Sequence, residues 1–258
     1  MFHYFLVFFL LILLLATLSV FAIIGRKIGA HHLKSQLHSK LEIIGAAEGA
    51  LFGLLALLMA FTFSGAYERY ETRKTHLIEE ANTFDRVYNY IDLLPKDMQP
   101  AFREDVRQYF DEYITIFKNI ANTMKVNQDL SKAQYLEDKI WKATVKANNE
   151  ATDKNTSQIY VIAFNDMFET AHTGYYWTQV HPPMVIFILL VWLAALGSFL
   201  IGYNAAENKR IISVHVLCYV LLTSVTIDII INIEFASIGF IGLDIFDQIL
   251  LTVRGNMN

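Results

Sequence analysis

Long apolar blocks alternate along the chain with strongly polar stretches. Four blocks, at residues 2–24, 43–66, 184–203 and 211–233, contain almost no charged side chains. As a helix with a rise of about 1.5 Å per residue, the first block would be about 34 Å long, enough to cross a hydrocarbon core of about 30 Å. It lacks the basic start and the small-residue cleavage site of a signal peptide. The pattern therefore predicts four transmembrane helices.

The stretch at residues 67–180 is polar, with 14 Lys or Arg and 18 Asp or Glu. Its apolar residues recur every three or four positions, as in Leu77, Phe84 and Ile91, which is the spacing of amphipathic helices. We therefore predict an all-α polytopic membrane protein with a soluble helical bundle inserted between spans two and three. Its bundle helices include one at about residues 98–125 and one at about residues 131–148. The predicted domains are residues 1–66 with two spans, 67–182 with the bundle, and 183–258 with two spans and a C-terminal tail.

The second span passes into this polar stretch without a helix-breaking sequence. Between residues 43 and 92 there is no proline, Gly65 weakens a helix locally at the end of the apolar block, and the first proline is Pro95. A single helix of about 50 residues is therefore compatible with the sequence and would be about 75 Å long. Such a helix would couple the membrane mechanically to the bundle.

Span two has two distinct faces. Its small residues form one stripe about 100° wide, which would let another helix backbone approach closely in lipid: Gly45, Gly49, Gly53, Ala56, Ala60 and Ser64. Beside this stripe lies a mostly bulky apolar edge: Glu48, Phe52, Leu55 and Met59, with Phe63 on the border. The edge is either packed in the protein core or lines a pore with an apolar constriction, which can close by dewetting.

Ionisable residues inside the spans are costly in lipid and point to function or to polar pairing. Glu48 and His215 lie at similar depths in spans two and four, so we hypothesise that they contact each other. Asp228 shares a helix face with Ser224 and Asn232. This polar stripe either joins neighbouring helices or forms part of an ion path.

Several classes of function are disfavoured by composition and spacing. The net charge of −4 argues against a nucleic-acid-binding protein. Cys218 is the only cysteine, so the chain has no intrachain disulfide. His31, His32 and His38 lack the acidic or cysteine partners of a metal site at ligand spacing. No catalytic constellation is evident, so we predict no enzyme activity, cofactor or metal.

The stretch "ERYETRKTHLIEEANTFDRVYNYIDLLP" follows directly after the small-residue span. With this stretch, the region that begins in span two and ends in the bundle resembles the bacterial bestrophin-like domain family. The positions that match the family pattern are Arg69, Tyr70, Arg73, Glu80, Asn82 and Pro95, together with Ala81 and Leu94. Near the end of the chain, Ala236 stands where the family pattern has proline.

This resemblance implies a distant relation to bestrophins, which are pentameric ion channels with a pore lined by the second span. By position, the implied apolar neck is Phe52, Leu55, Met59 and Phe63, and Glu48 at a pore mouth would suit cations. The implied partners are the lipid bilayer, further copies of the chain and permeant ions. The implied location is the bacterial inner (cytoplasmic) membrane.

Three questions stay open at this stage. The basic loops at residues 25–42 and 204–210 place the bundle outside by the positive-inside rule, whereas bestrophins keep their bulk in the cytosol. A non-conducting sensor or scaffold whose bundle binds a partner is the alternative to a channel. Proton coupling through Glu48, His215 and Asp228 is a third possibility.

Overall fold

The computed structural model of the chain describes residues 2–34, 41–120, 122–206, 211–235 and 243–257. Every regular element in these ranges is helical, in agreement with the predicted all-α class. The helices are α1 (Phe2–Lys34), α2 (Leu41–Tyr90), α3 (Gln99–Lys118), α4 (Thr123–Glu150), α5 (Lys154–Trp177), α6 (Met184–Asn204), α7 (Ile211–Glu234) and α8 (Leu243–Asn256), with a 3₁₀ turn at Ile91–Leu93. Within α1, α2, α6 and α7 lie stretches long and apolar enough to cross a membrane, as the sequence predicts.

Local sequence explains where the bundle helices begin and end. Leu94 is extended, as expected for the residue before Pro95, and Pro100 lies in the first turn of α3. The predicted helix at 98–125 is too long, because α3 ends at Lys118 and the Asn122 side chain caps a new helix. Its oxygen accepts a hydrogen bond from the backbone N–H of Lys125 at 3.2 Å.

The α2 helix runs without a break for 50 residues, as the absence of a helix breaker predicts. The chain nevertheless divides into two compact units, and within α2 the division lies between Arg69 and Tyr70. Unit one holds α1, the part of α2 up to Arg69, α6 and α7; unit two holds α2 from Tyr70, α3, α4, α5 and α8. The residues predicted as a tail after span four thus include a helix, α8, which belongs to unit two.

Direct backbone contact between α1 and α6 organises unit one. A Cβ atom placed on Gly25 would lie 2.0 Å from the carbonyl oxygen of Phe199, and one on Gly202 would lie 2.1 Å from that of Ala22. Ser198 donates a hydrogen bond to the carbonyl of Leu18 at 2.7 Å. Small residues permit such close approach in lipid, where packing replaces the hydrophobic effect as the force between helices.

Aromatic side chains fill the core of unit two. The ring of Phe84 on α2 lies 4.5 Å from Phe110 and 5.5 Å from Tyr113, both on α3, between ring centroids. The C-terminal helix packs on this bundle through two polar contacts. Tyr88 donates its hydroxyl hydrogen to the carbonyl of Met257, and the Arg254 guanidinium binds the Asp111 carboxylate at 2.6 and 2.9 Å.

Candidate functional site

The apolar part of α2 turns one edge towards other helices of unit one. Leu55 is only 4% exposed, and the Phe52 ring packs edge-on against Tyr219 of α7 at 5.7 Å. A Cβ on Gly197 of α6 would also touch the Phe52 ring. Farther along the same edge, Met59 is half-buried and Phe63 is exposed. Two of the four predicted neck residues therefore pack inside their own chain.

The other side of this helix segment is open within the chain. A Cβ on Gly49 or Gly53 would meet no heavy atom within 4 Å. Leu57 and Phe61 continue the same row at four-residue spacing and are 53% and 68% exposed. The predicted small-residue stripe thus lies against no helix of its own chain among the described residues, and the close contact predicted for it occurs between α1 and α6.

The predicted intramembrane polar residues fall into separate groups. Glu48 is half-buried and accepts a hydrogen bond from the Asn204 side chain of α6 at 2.6 Å. Its contact with His215 stays a prediction. On α7, Asn232 is buried and its side-chain amide donates to the carbonyl of Asp228 at 2.8 Å.

Two further polar atoms of that α7 face have no hydrogen-bond partner among the described residues. The hydroxyl of Ser224 and one carboxyl oxygen of Asp228 are buried and find no hydrogen-bond partner in the described part of the chain. Buried polar atoms of this kind are uncommon, because each lost hydrogen bond costs about 1–3 kcal/mol. Both suggested roles for the stripe, joining helices or forming part of an ion path, stay predictions.

A charged cluster closes the end of α7 in unit one. Glu234 is fully buried. The Arg69 guanidinium donates hydrogen bonds to its carboxylate oxygen Oε2 from Nε at 2.9 Å and from Nη2 at 2.6 Å. His181 places Nδ1 3.0 Å from the other carboxylate oxygen and lies with its ring 4.6 Å from that of Phe235. A two-pronged guanidinium–carboxylate pair is strong and fixes geometry as well as charge.

Sequence reasoning identified Arg69 but missed Glu234 and His181. The available signal was an acidic residue that ends the last apolar block, since a carboxylate at the edge of a span needs a cation. An arginine just beyond span two was the obvious candidate partner. The pairing itself joins residues 165 positions apart, which no local pattern reveals.

The other family-motif residues lie in unit two and differ in their surroundings. Arg73 is buried, and its guanidinium donates to the carbonyls of Trp177 at 3.1 Å and Val180 at 2.8 Å. It thus satisfies carbonyls at and beyond the C-terminal end of α5 that the helix itself leaves unbonded. Tyr70 is half-buried, Asn82 is exposed, and Pro95 follows the 3₁₀ turn.

Glu80 is the most unusual residue of the motif. Its side chain lies 14 residues past the end of the apolar block, is 2% exposed, and accepts a short hydrogen bond from the hydroxyl of Tyr113. One carboxyl oxygen occupies the space that a Cβ on Gly174 of α5 would take. Burial raises the pKa of Glu80 to about 8, with the Tyr113 hydrogen bond opposing and the Glu79 charge adding to the shift.

No metal centre is apparent in the parts of the chain that the structure describes. No group of three or more His, Cys, Asp or Glu side chains there is arranged to hold a metal ion. Two separate candidates remain: in unit one, the open face of α2 and the Arg69–Glu234 contact, and in unit two, the contacts of Arg73 and Glu80.

The chain is similar to a described family and to solved structures of bacterial proteins. The chain matches the family described as "Bestrophin-like domain" over residues 11–235. Among solved structures, a bacterial bestrophin homologue from Klebsiella pneumoniae has 15% identity and a TM-score of 0.63, with 97% of this chain and 96% of that chain covered. A variant of that homologue gives 14% identity and a TM-score of 0.65, with 97% and 98% covered. No curated protein sequence matches the chain.

Proposed function

Since this chain belongs to the Bestrophin-like family, whose characterised members are ion channels, we propose that it forms a pentameric ion channel in the bacterial cytoplasmic membrane. In this proposal α2 lines the pore and Glu48 lies near one mouth, where a carboxylate would favour cations. The bundle of unit two forms a vestibule.

The open face of α2 is the observation that supports this proposal best. A pore-lining face must be uncovered within a single chain, because it faces the axis of the assembly rather than the subunit's own helices. Gly49, Gly53, Leu57 and Phe61 form such a face, and its larger members are apolar. We propose that Leu57 and Phe61 narrow the pore and close it by dewetting.

The neck implied by the resemblance is a competing assignment. It consists of Phe52, Leu55, Met59 and Phe63, of which Phe52 and Leu55 pack inside unit one. For these two side chains to line a pore, α2 would have to rotate about its axis relative to α6 and α7. The two assignments therefore differ in which face of α2 meets the permeating ion.

A flux assay on paired variants distinguishes the two necks. We expect Phe61→Ser, in protein reconstituted into liposomes, to raise the resting ion flux by about tenfold or more, because a hydroxyl in an apolar constriction favours its wetting. Phe52→Ser is the matched control and should change flux by less than about twofold while lowering thermal stability, since its ring packs on Tyr219. The reverse pattern would assign the neck to the edge that contains Phe52.

Imaging of the assembly tests the channel itself. We expect single-particle images of the nanodisc-embedded protein, viewed down the membrane normal, to contain a closed ring of five subunits with α2 at the axis. The open face of α2 supports this expectation, because a face without a partner in its own chain can border an axial cavity; contact of that face with lipid is the other outcome. A monomer, or a dimer without an axial cavity, contradicts the channel and favours the non-conducting sensor or scaffold.

A further inference from the structure

Glu80 is a buried carboxyl group that makes no ion pair with the described residues. Its hydrogen-bond partner is the neutral hydroxyl of Tyr113. Of the two cations six residues away along α2, Arg86 directs its guanidinium to the hydroxyl of Thr83 at 3.2 Å, and Lys74 lies 3.1 Å from the Glu71 carboxylate. His76 lies 3.7 Å from the Glu79 carboxylate instead. A buried carboxylate in these surroundings is unfavourable, so the neutral acid is favoured.

The groups on the other elements packed around Glu80 do not compensate a negative charge. From α3, Tyr109 and Tyr113 face it, and burial beside Glu80 raises both phenol pKa values. From α5, Asp166 and Glu169 line a cleft of about 320 Å³ whose wall includes Glu80. The same cleft is lined by Glu79, Arg86 and His76 from α2, so carboxyl groups outnumber cations there. Of these charges, that of Glu79 adds to the rise in the pKa of Glu80.

The same carboxyl group closes the contact between α2 and α5. Its oxygen Oε1 lies where a Cβ on Gly174 would stand, so a side chain at residue 174 and the Glu80 carboxyl group cannot occupy this point together. Any larger volume at this point, such as the hydration shell of an ionised carboxylate, requires the two helices to separate or the side chain to leave. The cleft beside it offers the route out.

We propose that Glu80 is a proton-binding site: its protonated carboxyl group holds α2 against α5 at Gly174, and loss of the proton releases the carboxylate into the adjoining cleft, where it can be hydrated beside Arg86, and loosens the two helices. This site acts within unit two, whether or not the assembled protein conducts ions. It makes the bundle a sensor of alkaline pH.

The sign of the pH effect follows from the raised pKa. The folded state binds the Glu80 proton more tightly than the unfolded state, whose pKa lies near the ordinary value of 4.5. The stability that protonated Glu80 contributes is therefore complete below about pH 4.5 and is lost as pH rises to about 8. Ionisation within the folded protein occurs only at the upper end of this window.

Hydrogen exchange of the full-length protein in detergent tests the proposal. From about pH 6 to about pH 9.5, either side of the pKa of about 8, exchange in α5 near Gly174 should increase about tenfold beyond the intrinsic base-catalysed rise. Glu80→Gln keeps the size and hydrogen-bonding capacity of the neutral acid, so it should abolish the excess. Glu79→Gln, an exposed neighbour, is the control and should retain it. An equal excess in Glu80→Gln, or none in the wild type, overturns the proposal.

A second measurement keeps the proposal testable if Glu80→Gln does not fold. As pH rises over the same range, infrared difference spectra of the wild type should show the loss of a protonated carboxyl band. If no such loss is observed, the proposed proton-binding site is wrong. Gly174→Ala places a methyl group at the position of Oε1, so it should shift the exchange transition to lower pH. An unchanged transition in a folded Gly174→Ala protein contradicts the role of the α2–α5 contact.

Discussion

Replacing Arg69 by alanine is expected to lower the free energy of unfolding by about 3–5 kcal/mol, because it leaves the fully buried Glu234 carboxylate without its guanidinium partner. At about 2–4 °C per kcal/mol for a chain of this size, the thermal midpoint in detergent should fall by roughly 6–20 °C. His181 alone cannot replace the two-pronged contact, since it offers one nitrogen to one oxygen. Thermal unfolding followed by circular dichroism measures the effect.

Two further variants separate charge from packing. Arg69→Lys keeps the charge but loses the fork geometry, so its effect should be smaller than that of Arg69→Ala. In the double variant Arg69→Ala/Glu234→Gln the uncompensated charge is absent, and part of the lost stability should return. If the double variant is as unstable as the sum of both single variants, Arg69 and Glu234 act independently and the buried pair is not the cause.

Replacing Gly202 by valine is expected to prevent α1 and α6 from packing in their native contact. The added Cβ would stand 2.1 Å from the carbonyl oxygen of Ala22 and 2.8 Å from its Cα, and neither backbone atom can rotate away. Overpacking of a tight core usually costs about 1–3 kcal/mol and occasionally more. Because the obstruction is backbone on both sides, we expect the upper part of this range or beyond. The yield and the thermal midpoint of the purified protein measure it.

A glycine on the open face of α2 provides the matched control. A Cβ on Gly53 meets nothing within 4 Å in its own chain. Gly53→Ala should therefore leave the free energy of unfolding unchanged or raise it by up to about 1 kcal/mol through helix propensity, and the thermal midpoint should not fall. A large loss in Gly53→Ala would mean that this face packs against another copy of the chain. Equal, small effects at Gly53 and Gly202 would contradict the close contact of α1 and α6.

The helices were predictable because their signals are local. Length and apolarity indicated the four spans, and the lack of a breaker before Pro95 indicated the uninterrupted α2. The boundary between α3 and α4 is predicted too late, after about residue 125 instead of after Lys118, because the apolar periodicity continues past the cap by Asn122. A single capping hydrogen bond is invisible to spacing alone.

The partners of each helix face were not predictable, because they depend on tertiary arrangement. The small-residue stripe of span two looks like a packing face, yet Gly25 and Gly202 make the close backbone contact in unit one. Likewise, the sequence contains Arg69 and Glu234, but only the fold brings them to 2.6 Å. The burial of Glu80 follows from its place on the apolar face of α2, whereas its contact with Gly174 does not.

The continuity of α2 also limits how the length of the chain can vary. Each inserted or deleted residue within an unbroken helix turns everything beyond it by about 100°. A single insertion between Phe61 and Glu80 would thus change the angle about the helix axis between the open apolar row and the Glu80 side chain. Only insertions or deletions close to a whole number of turns, such as about seven or eleven residues, keep the two side chains at nearly the same angle to each other. The number of residues within α2 is therefore constrained by the helix itself, whereas the connections between helices can vary in length.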